Sequence, residues 1–198
     1  MRIPKTYSIA LLGGSFDPPH IGHLKISKQA LKILPIKKLY WVVTKKNPFK
    51  NRPFYNLKNR IRKCVKIVKK VKKIEVVYLD EKIKSSRTVN VITFFKSRVR
   101  SNKIFFIMGS DTLINFHKWQ NWKSIFNNIP VVVFKRHGYN TSALKSISSN
   151  TFKKFRIQNR NLKKISFKSL PKWVWVENKE IKISSTEIRN QREILRGK

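Results

Sequence analysis

Six short apolar runs, none of them alternating with polar residues, constrain this chain more than any other feature. They are YSIALL (7–12), LYWVVT (39–44), IEVVYL (74–79), KIFFIM (103–108), VVVF (131–134) and WVWV (173–176). Unbroken runs of this length read as strands buried on both faces. Between them lie stretches with apolar residues at helical spacing: His23 to Leu34 with Leu24, Leu31 and Leu34, Leu57 to Val71 with Ile61, Val65 and Val68, and Thr88 to Val99. Strand alternating with helix predicts an α/β fold, a doubly wound and mostly parallel sheet with helices on both faces. Ligands of such a sheet bind beyond the carboxyl ends of its strands. No repeat or linker divides residues 1–198, which are expected to form a single domain.

No apolar run approaches the eighteen or so residues that a membrane-spanning helix needs. The start, MRIPKTYSIALLGG, runs into a proline-rich turn without a convincing cleavage site, so it reads as the first strand. The single cysteine, Cys64, lies in a basic helical pattern and reads as a small apolar residue; together these features predict a soluble, cytoplasmic protein.

The chain carries 46 lysines and arginines against 9 acids, a net charge of +37. Charge of that sign attracts polyanions: nucleic acid, anionic membrane or phosphorylated small molecules. It is spread along the chain, chiefly as lysine, and travels with Ile, Asn and Phe, as a drift in composition would also produce. The scarce acids say more, because Asp17 and Asp111 each fall just beyond an apolar run.

The stretch GGSFDPPHIGHLK (13–25) holds three of the chain's six glycines and two of its four histidines. Glycines at a strand-to-helix turn let backbone approach a phosphate, and a helix N-terminus offers free N–H groups and a partial positive charge. His20 and His23, three apart, project from one face of the first helical turn. Gly22 between them leaves room for a nucleotide. The arrangement suits two imidazoles donating to phosphate oxygens. A transition metal held by the histidines with Asp17 is the weaker alternative, because no third ligand follows at metal-site spacing; ordinary turn and cap residues are the bland one. Neither GxxxxGK[ST], GxGxxG nor GxSxG is present.

GGSFDPPHIGH resembles the signature of the adenylyltransferase superfamily, whose HxGH motif is shared with class I aminoacyl-tRNA synthetases. Ile183-Ser184-Ser185-Thr186-Glu187-Ile188-Arg189 resembles the second signature of that superfamily, ISSTxIR. On helical spacing Ser185, Thr186 and Arg189 share a face suited to a triphosphate, although Ser184 with Glu187 also makes an ordinary capping box. Residues 107–122, IMGSDTLINFHKWQNW, are similar to the segment with which nicotinate mononucleotide adenylyltransferases hold the pyridine nucleotide. The resemblance covers nearly the whole chain, including Ser86-Arg87-Thr88 and Lys135-Arg136-His137-Gly138.

The resemblance implies a Rossmann-like fold and transfer of the adenylyl group of ATP to nicotinate mononucleotide, with Mg²⁺ accompanying the ATP. It implies catalytic roles for His20, His23 and Arg189. ATP would be bound by Gly13, Gly14, Ser15, Phe16, His20, Gly22, His23, Gly109, Asp111, Ser184, Ser185, Thr186 and Arg189. Nicotinate mononucleotide would be bound by Ser15, Lys45, Lys50, Thr88, Trp119 and Arg136, with Trp119 stacking on the cationic pyridine ring. No metal site built by the protein itself is expected. Trp122, at helical spacing from Trp119, is expected in the core; His117 is unassigned. The loop KKNPFKNRPFYN (45–56) is expected to close over the ligand, and residues 184–196 to form a C-terminal helix. Relatives carry a histidine in the loop where this chain has Phe49, so Lys45 and Lys46 would share its phosphate contacts. Nicotinamide mononucleotide and phosphopantetheine are alternative acceptors, the GSD and FHKW residues arguing against the latter. A nucleic-acid binder, marked by tight salt-sensitive binding to arbitrary DNA or RNA, is the reading from another class. No membrane and no specific nucleic-acid partner is expected, and the sequence leaves homo-oligomerisation open.

Overall fold

A computed structural model describes residues 7–45, 53–99, 103–158, 162, 165, 167–177 and 182–196. Seven strands form one sheet: β1 Ile9–Gly14, β2 Lys38–Val43, β3 Ile74–Tyr78, β4 Ile104–Gly109, β5 Val131–Phe134, β6 Arg156–Ile157 and β7 Trp173–Val176. Their order is β3-β2-β1-β4-β5-β7-β6 and every ladder is parallel. The direction of winding reverses between β1 and β4, the switch point at which open α/β sheets bind ligands.

The unbroken runs have a direct physical cause. Alternate residues of each strand face opposite sides of the sheet, and both sides are dry. Ile9, Leu11, Tyr40, Phe106 and Val133 pack under α3 (Thr88–Lys96) and α5 (Trp122–Asn128). Ala10, Leu12, Trp41, Phe105 and Val132 pack under α1 (Ile21–Ile33) and α2 (Leu57–Val68). Cys64 of α2 is fully buried and desolvation pushes its thiol up to about 12, so it packs as an apolar residue, as expected. Trp122 is half-buried and packs against the core instead of lying within it, edge-on to Phe126 and Phe152. The buried indole of Trp41 donates from Nε1 to Ser27 Oγ at 2.8 Å, and Ser27 Oγ donates to the His23 carbonyl at 2.7 Å, so no polar atom of that chain is stranded under α1.

Elements depart from the expected bounds where local chemistry intervenes. Helix α2 ends at Val68 and α3 at Lys96. The weak periodicity near residues 149–159 is not one helix: α7 (Ile147–Thr151), following α6 (Asn140–Leu144), and a 3₁₀ turn at Lys153–Phe155 lead into the two-residue edge strand β6. A Ser-capped start and a tight turn there replace continuous helical bonding. The C-terminal helix α8 is Ser185–Arg196, one residue inside its expected start. Among the described residues no helix is long and apolar enough to cross a membrane.

Candidate active site

At the carboxyl edge of the sheet, β1 ends in Gly13 and Gly14 and β4 ends in Gly109, directly before α4 (Ser110–Ile114). A cavity of about 780 Å³ opens between them, a volume suited to a small-molecule ligand. Its walls come from β1 and the following turn (Leu11 to Phe16), the start of α1 (His20, Gly22, His23, Lys25), the start of α3 (Ser86, Arg87, Thr88) and the β4–α4 segment (Met108, Gly109, Asp111). Further walls include Thr44 and Asp80, Lys118, Trp119 and Gln120, the residues after β5 (Lys135, Arg136, Tyr139), and Ile183 to Thr186.

The two histidines meet through the cap of α1. His20 is the N-cap residue, in extended conformation, and its Nδ1 accepts from the Gly22 N–H at 3.1 Å. His23, one turn on, accepts from the His20 N–H at its own Nδ1, 3.2 Å away. This is a capping box built from imidazoles. An Nδ1 that accepts leaves Nε2 as the nitrogen bearing hydrogen in the neutral ring. His20 Nε2 is buried and has no hydrogen-bond partner among the described residues. His20 is only 6% exposed; burial, then the nearby Arg136 charge, lower its pKa from 6.5 to about 4, against a smaller opposing effect of Glu187. It is therefore a neutral donor at physiological pH.

Arg136 Nη1 donates to Asp111 Oδ2 at 2.7 Å and its Nη2 donates to the Ile183 carbonyl at 3.3 Å. One guanidinium thus ties the end of β5, the start of α4 and the segment entering α8. Gly109 makes the pair reachable, because a Cβ there would run into Asp111 Oδ1.

The cytidylyltransferase-like family description matches residues 11–191 of the chain. A protein of Pelagibacter ubique named "Probable nicotinate-nucleotide adenylyltransferase" is 46% identical over 165 residues, covering 83% of this chain and 91% of its own length. The chain belongs to this adenylyltransferase family. A protein of the same name from Agrobacterium fabrum is 34% identical over 92% of this chain and 97% of its own. The fold is shared with Plasmodium falciparum nicotinic acid mononucleotide adenylyltransferase complexed with NaAD, TM-score 0.70 at 18% identity, covering 94% of this chain and 83% of that one. The same enzyme complexed with APC gives 0.68, also at 18% identity, with 93% and 83% covered.

Seen as a family member, the chain brings most of the expected residues together. Gly13, Gly14, Ser15, Phe16, His20, Gly22, His23, Thr88, Gly109, Asp111, Trp119, Arg136, Ser184, Ser185 and Thr186 all line one cavity. Several reasons given for them change. Gly22 makes room for His20, since a Cβ there would lie 2.8 Å from the imidazole. The first-turn amides are not all free, because the Gly22 N–H is taken by His20. His20 precedes the first helical turn instead of standing in it. Gly13 and Gly14 end the strand, and the left-handed residue of the turn is Phe16, at φ 47°; its ring stacks on Trp41 at 4.9 Å, and a Cβ on Gly14 would press on it at 3.3 Å.

Arg189 is not on the cavity wall. Its Nη1 donates to the Asp17 carbonyl at 2.6 Å and its Nη2 to Thr186 Oγ1 at 3.1 Å, while Ser185 Oγ donates to the Pro18 carbonyl at 2.9 Å. Helix α8 is thereby tied to the turn before His20, and Ser184 Oγ caps the Glu187 N–H at 3.1 Å, half of the expected capping box. Asp111 and Arg136, expected on different substrates, are one ion pair. Lys45 does not line the cavity; its backbone N–H donates to Asp80 Oδ2 and its side chain is exposed. Lys46, Phe49 and Lys50, with the middle of the expected closing loop, lie outside the described residues.

Sequence reasoning missed Lys25, Arg87, Lys118 and Tyr139, which line the cavity. In a chain this rich in lysine, nothing marks one cation as facing a ligand. It also missed Arg60, a buried cation that touches the turn after β1.

Proposed function

We propose that the protein transfers the adenylyl group of ATP to nicotinate mononucleotide in NAD synthesis, releasing pyrophosphate. The 5′-phosphate oxygen of the mononucleotide bonds to the α-phosphorus of ATP. The bond from that phosphorus to the bridging oxygen breaks, and pyrophosphate leaves with the electron pair. No protein nucleophile takes part, so the work is to hold two anions in line and stabilise charge as it develops.

The observation that carries this reading is the pair of imidazoles, locked by their own cap with Nε2 as donor, on the wall of a cavity at the switch point. His20 offers a neutral N–H that needs no rearrangement when charge builds on the α-phosphate. His23 stands beside it, ring centroids 3.9 Å apart. Ser184, Ser185 and Thr186 supply hydroxyls toward the polyphosphate, and Arg189 reaches it by exchanging the Asp17 carbonyl for a phosphate oxygen. Thr88 and Trp119 flank the pyridine nucleotide, with the half-buried Trp119 braced by Phe116 at 4.9 Å.

Mg²⁺ is proposed to arrive with ATP. The cavity has two carboxylates on its wall, Asp80 and Asp111, each with one oxygen already hydrogen-bonded, and no group of three or more acidic, His or Cys ligands exists among the described residues. That donor set fits an ion held chiefly by phosphates and water and not a protein cage. When bound, the ion neutralises charge on the phosphate oxygens.

Pyrophosphate release measured with ATP and each of nicotinate mononucleotide, nicotinamide mononucleotide and phosphopantetheine tests the reading. The nicotinate acceptor is expected to react fastest. Faster release with either other acceptor, or none with any, contradicts it.

A further inference from the structure

Arg60 is 1% exposed, yet among the described residues it forms no hydrogen bond to a carboxylate. Its guanidinium donates to four backbone carbonyls instead: Nε to Tyr55 at 3.1 Å, Nη1 to Ser15 at 2.6 Å and to Thr44 at 2.8 Å, and Nη2 to Lys45 at 2.8 Å. Four bonds nearly exhaust the five N–H groups of a guanidinium. These carbonyls belong to three separate segments: the turn after β1, the end of β2, and the entry to α2.

Two buried aspartates accept from donors of two of these segments. Asp80 Oδ2 accepts from the Lys45 N–H at 2.8 Å and the Thr44 hydroxyl at 3.2 Å, while Asp17 accepts from the N–H groups of Phe54 and Tyr55 at 2.8 and 2.9 Å. Two of the three segments, Thr44–Lys45 and Phe54–Tyr55, are therefore held by carbonyls on the cation and by backbone amides on an anion, and the Ser15 turn by its carbonyl on the cation. A buried charge costs several kcal/mol unless well bonded, so the site is retained only with its partners in place. Ser15 and Thr44 both line the ligand cavity.

We infer that Arg60, clamped between Asp17 and Asp80, is a positioning residue that sets the Ser15 turn against Thr44, Lys45 and Tyr55 along one wall of the ligand cavity. It acts through backbone and touches no substrate. The planar fork is what the task requires: lysine keeps the charge but presents three donors from a single point and cannot span four carbonyls of three segments. The kinetic part of this inference rests on the adenylyl-transfer reading; the clamp itself does not.

The test compares Arg60→Lys with Val68→Ala, a core truncation on the same helix remote from the clamp. Trypsin reads the clamp without the reaction's substrates, and the sequence places the cleavable residues Lys46 and Lys50 between the clamped ends. Cleavage between 45 and 53 is expected to quicken by about fivefold or more in Arg60→Lys and to change by less than about twofold in Val68→Ala. With ATP and nicotinate mononucleotide, Arg60→Lys is expected to lose about tenfold or more in kcat/KM relative to Val68→Ala at matched folded fraction, as loss of preorganised geometry requires. Should Arg60→Lys fail to fold, Asp80→Ala removes the amide grip on Lys45 and is expected to quicken the same cleavage. Cleavage of the tested clamp variant at the Val68→Ala rate overturns the clamp. Faster cleavage with kcat/KM within about twofold of Val68→Ala overturns the positioning role. A wild-type protein inactive with these substrates refutes the adenylyl-transfer reading instead, and the trypsin comparison still judges the clamp.

Discussion

The imidazoles of His20 and His23 lie 3.9 Å apart because each caps the backbone that carries the other's helix turn: His20 Nδ1 takes the Gly22 N–H and His23 Nδ1 takes the His20 N–H. Folding of α1 and orientation of the donors are thus one event. The same two bonds that start the helix decide which nitrogen faces the ligand.

Cap and donor can be separated by choice of side chain. His20→Ala removes both, and is expected to lower kcat by on the order of 10²-fold to 10³-fold, the effect of deleting a preorganised donor. It should also destabilise α1 by roughly 1 kcal/mol, the usual loss for a removed N-cap. His20→Asn restores a good cap without the imidazole. Its melting temperature is expected to return toward wild type while kcat stays low; joint recovery of both would contradict the donor role.

Gly22→Ala sets two effects against each other. Alanine favours a helix over glycine by about 1 kcal/mol. Its Cβ, however, would lie 2.8 Å from the His20 ring, closer than carbon atoms pack. The ring must turn, so kcat is expected to fall by about tenfold or more, since small misplacements of catalytic groups cost that much. Steady-state kinetics beside a thermal melt checks this: wild-type kcat would show that the ring has room.

The buried state of His20 predicts the sign of a pH effect. Its pKa is near 4 in the folded protein, against 6.5 when unfolded. Between those values the unfolded chain binds the extra proton, so this residue's contribution to stability falls as pH drops from about 6.5 to about 4. Asparagine does not titrate there. The stability difference between wild type and His20→Asn is therefore expected to shift against wild type on acidification through that window, and a constant difference would contradict the assignment.

How much of this was legible beforehand follows from how each feature is encoded. The six principal strands stand out because a sheet buried on both faces needs continuous apolar residues. Strand β6, two residues in a lysine- and serine-rich stretch, has no such signature. The HxGH histidines are conspicuous as residue types, but their capping is not, since histidine is not among the usual N-caps. Arg60 is the clearest case of what sequence conceals. It is one cation in an acid-free stretch, 18–74, and only the folded chain shows that it is buried while its neighbours are solvated.

Trp119 offers a substrate-selective test. Its ring lines the cavity and is supported from behind by Phe116 and, edge-on, Phe106 at 6.5 Å. Trp119→Ala is expected to raise KM for nicotinate mononucleotide by about tenfold while moving KM for ATP much less, with Trp119→Phe in between, as loss of a face for a cationic ring implies. Equal changes in both KM values would assign the residue to packing alone.

A crystal grown with a non-hydrolysable ATP analogue and nicotinate mononucleotide would show which groups meet the phosphates. The α-phosphate is expected within hydrogen-bond distance of Nε2 of His20 or His23, with the mononucleotide phosphate in line beside Ser15. An adenine nucleotide bound away from the β1–α1 turn, with both imidazoles unliganded, would contradict the account.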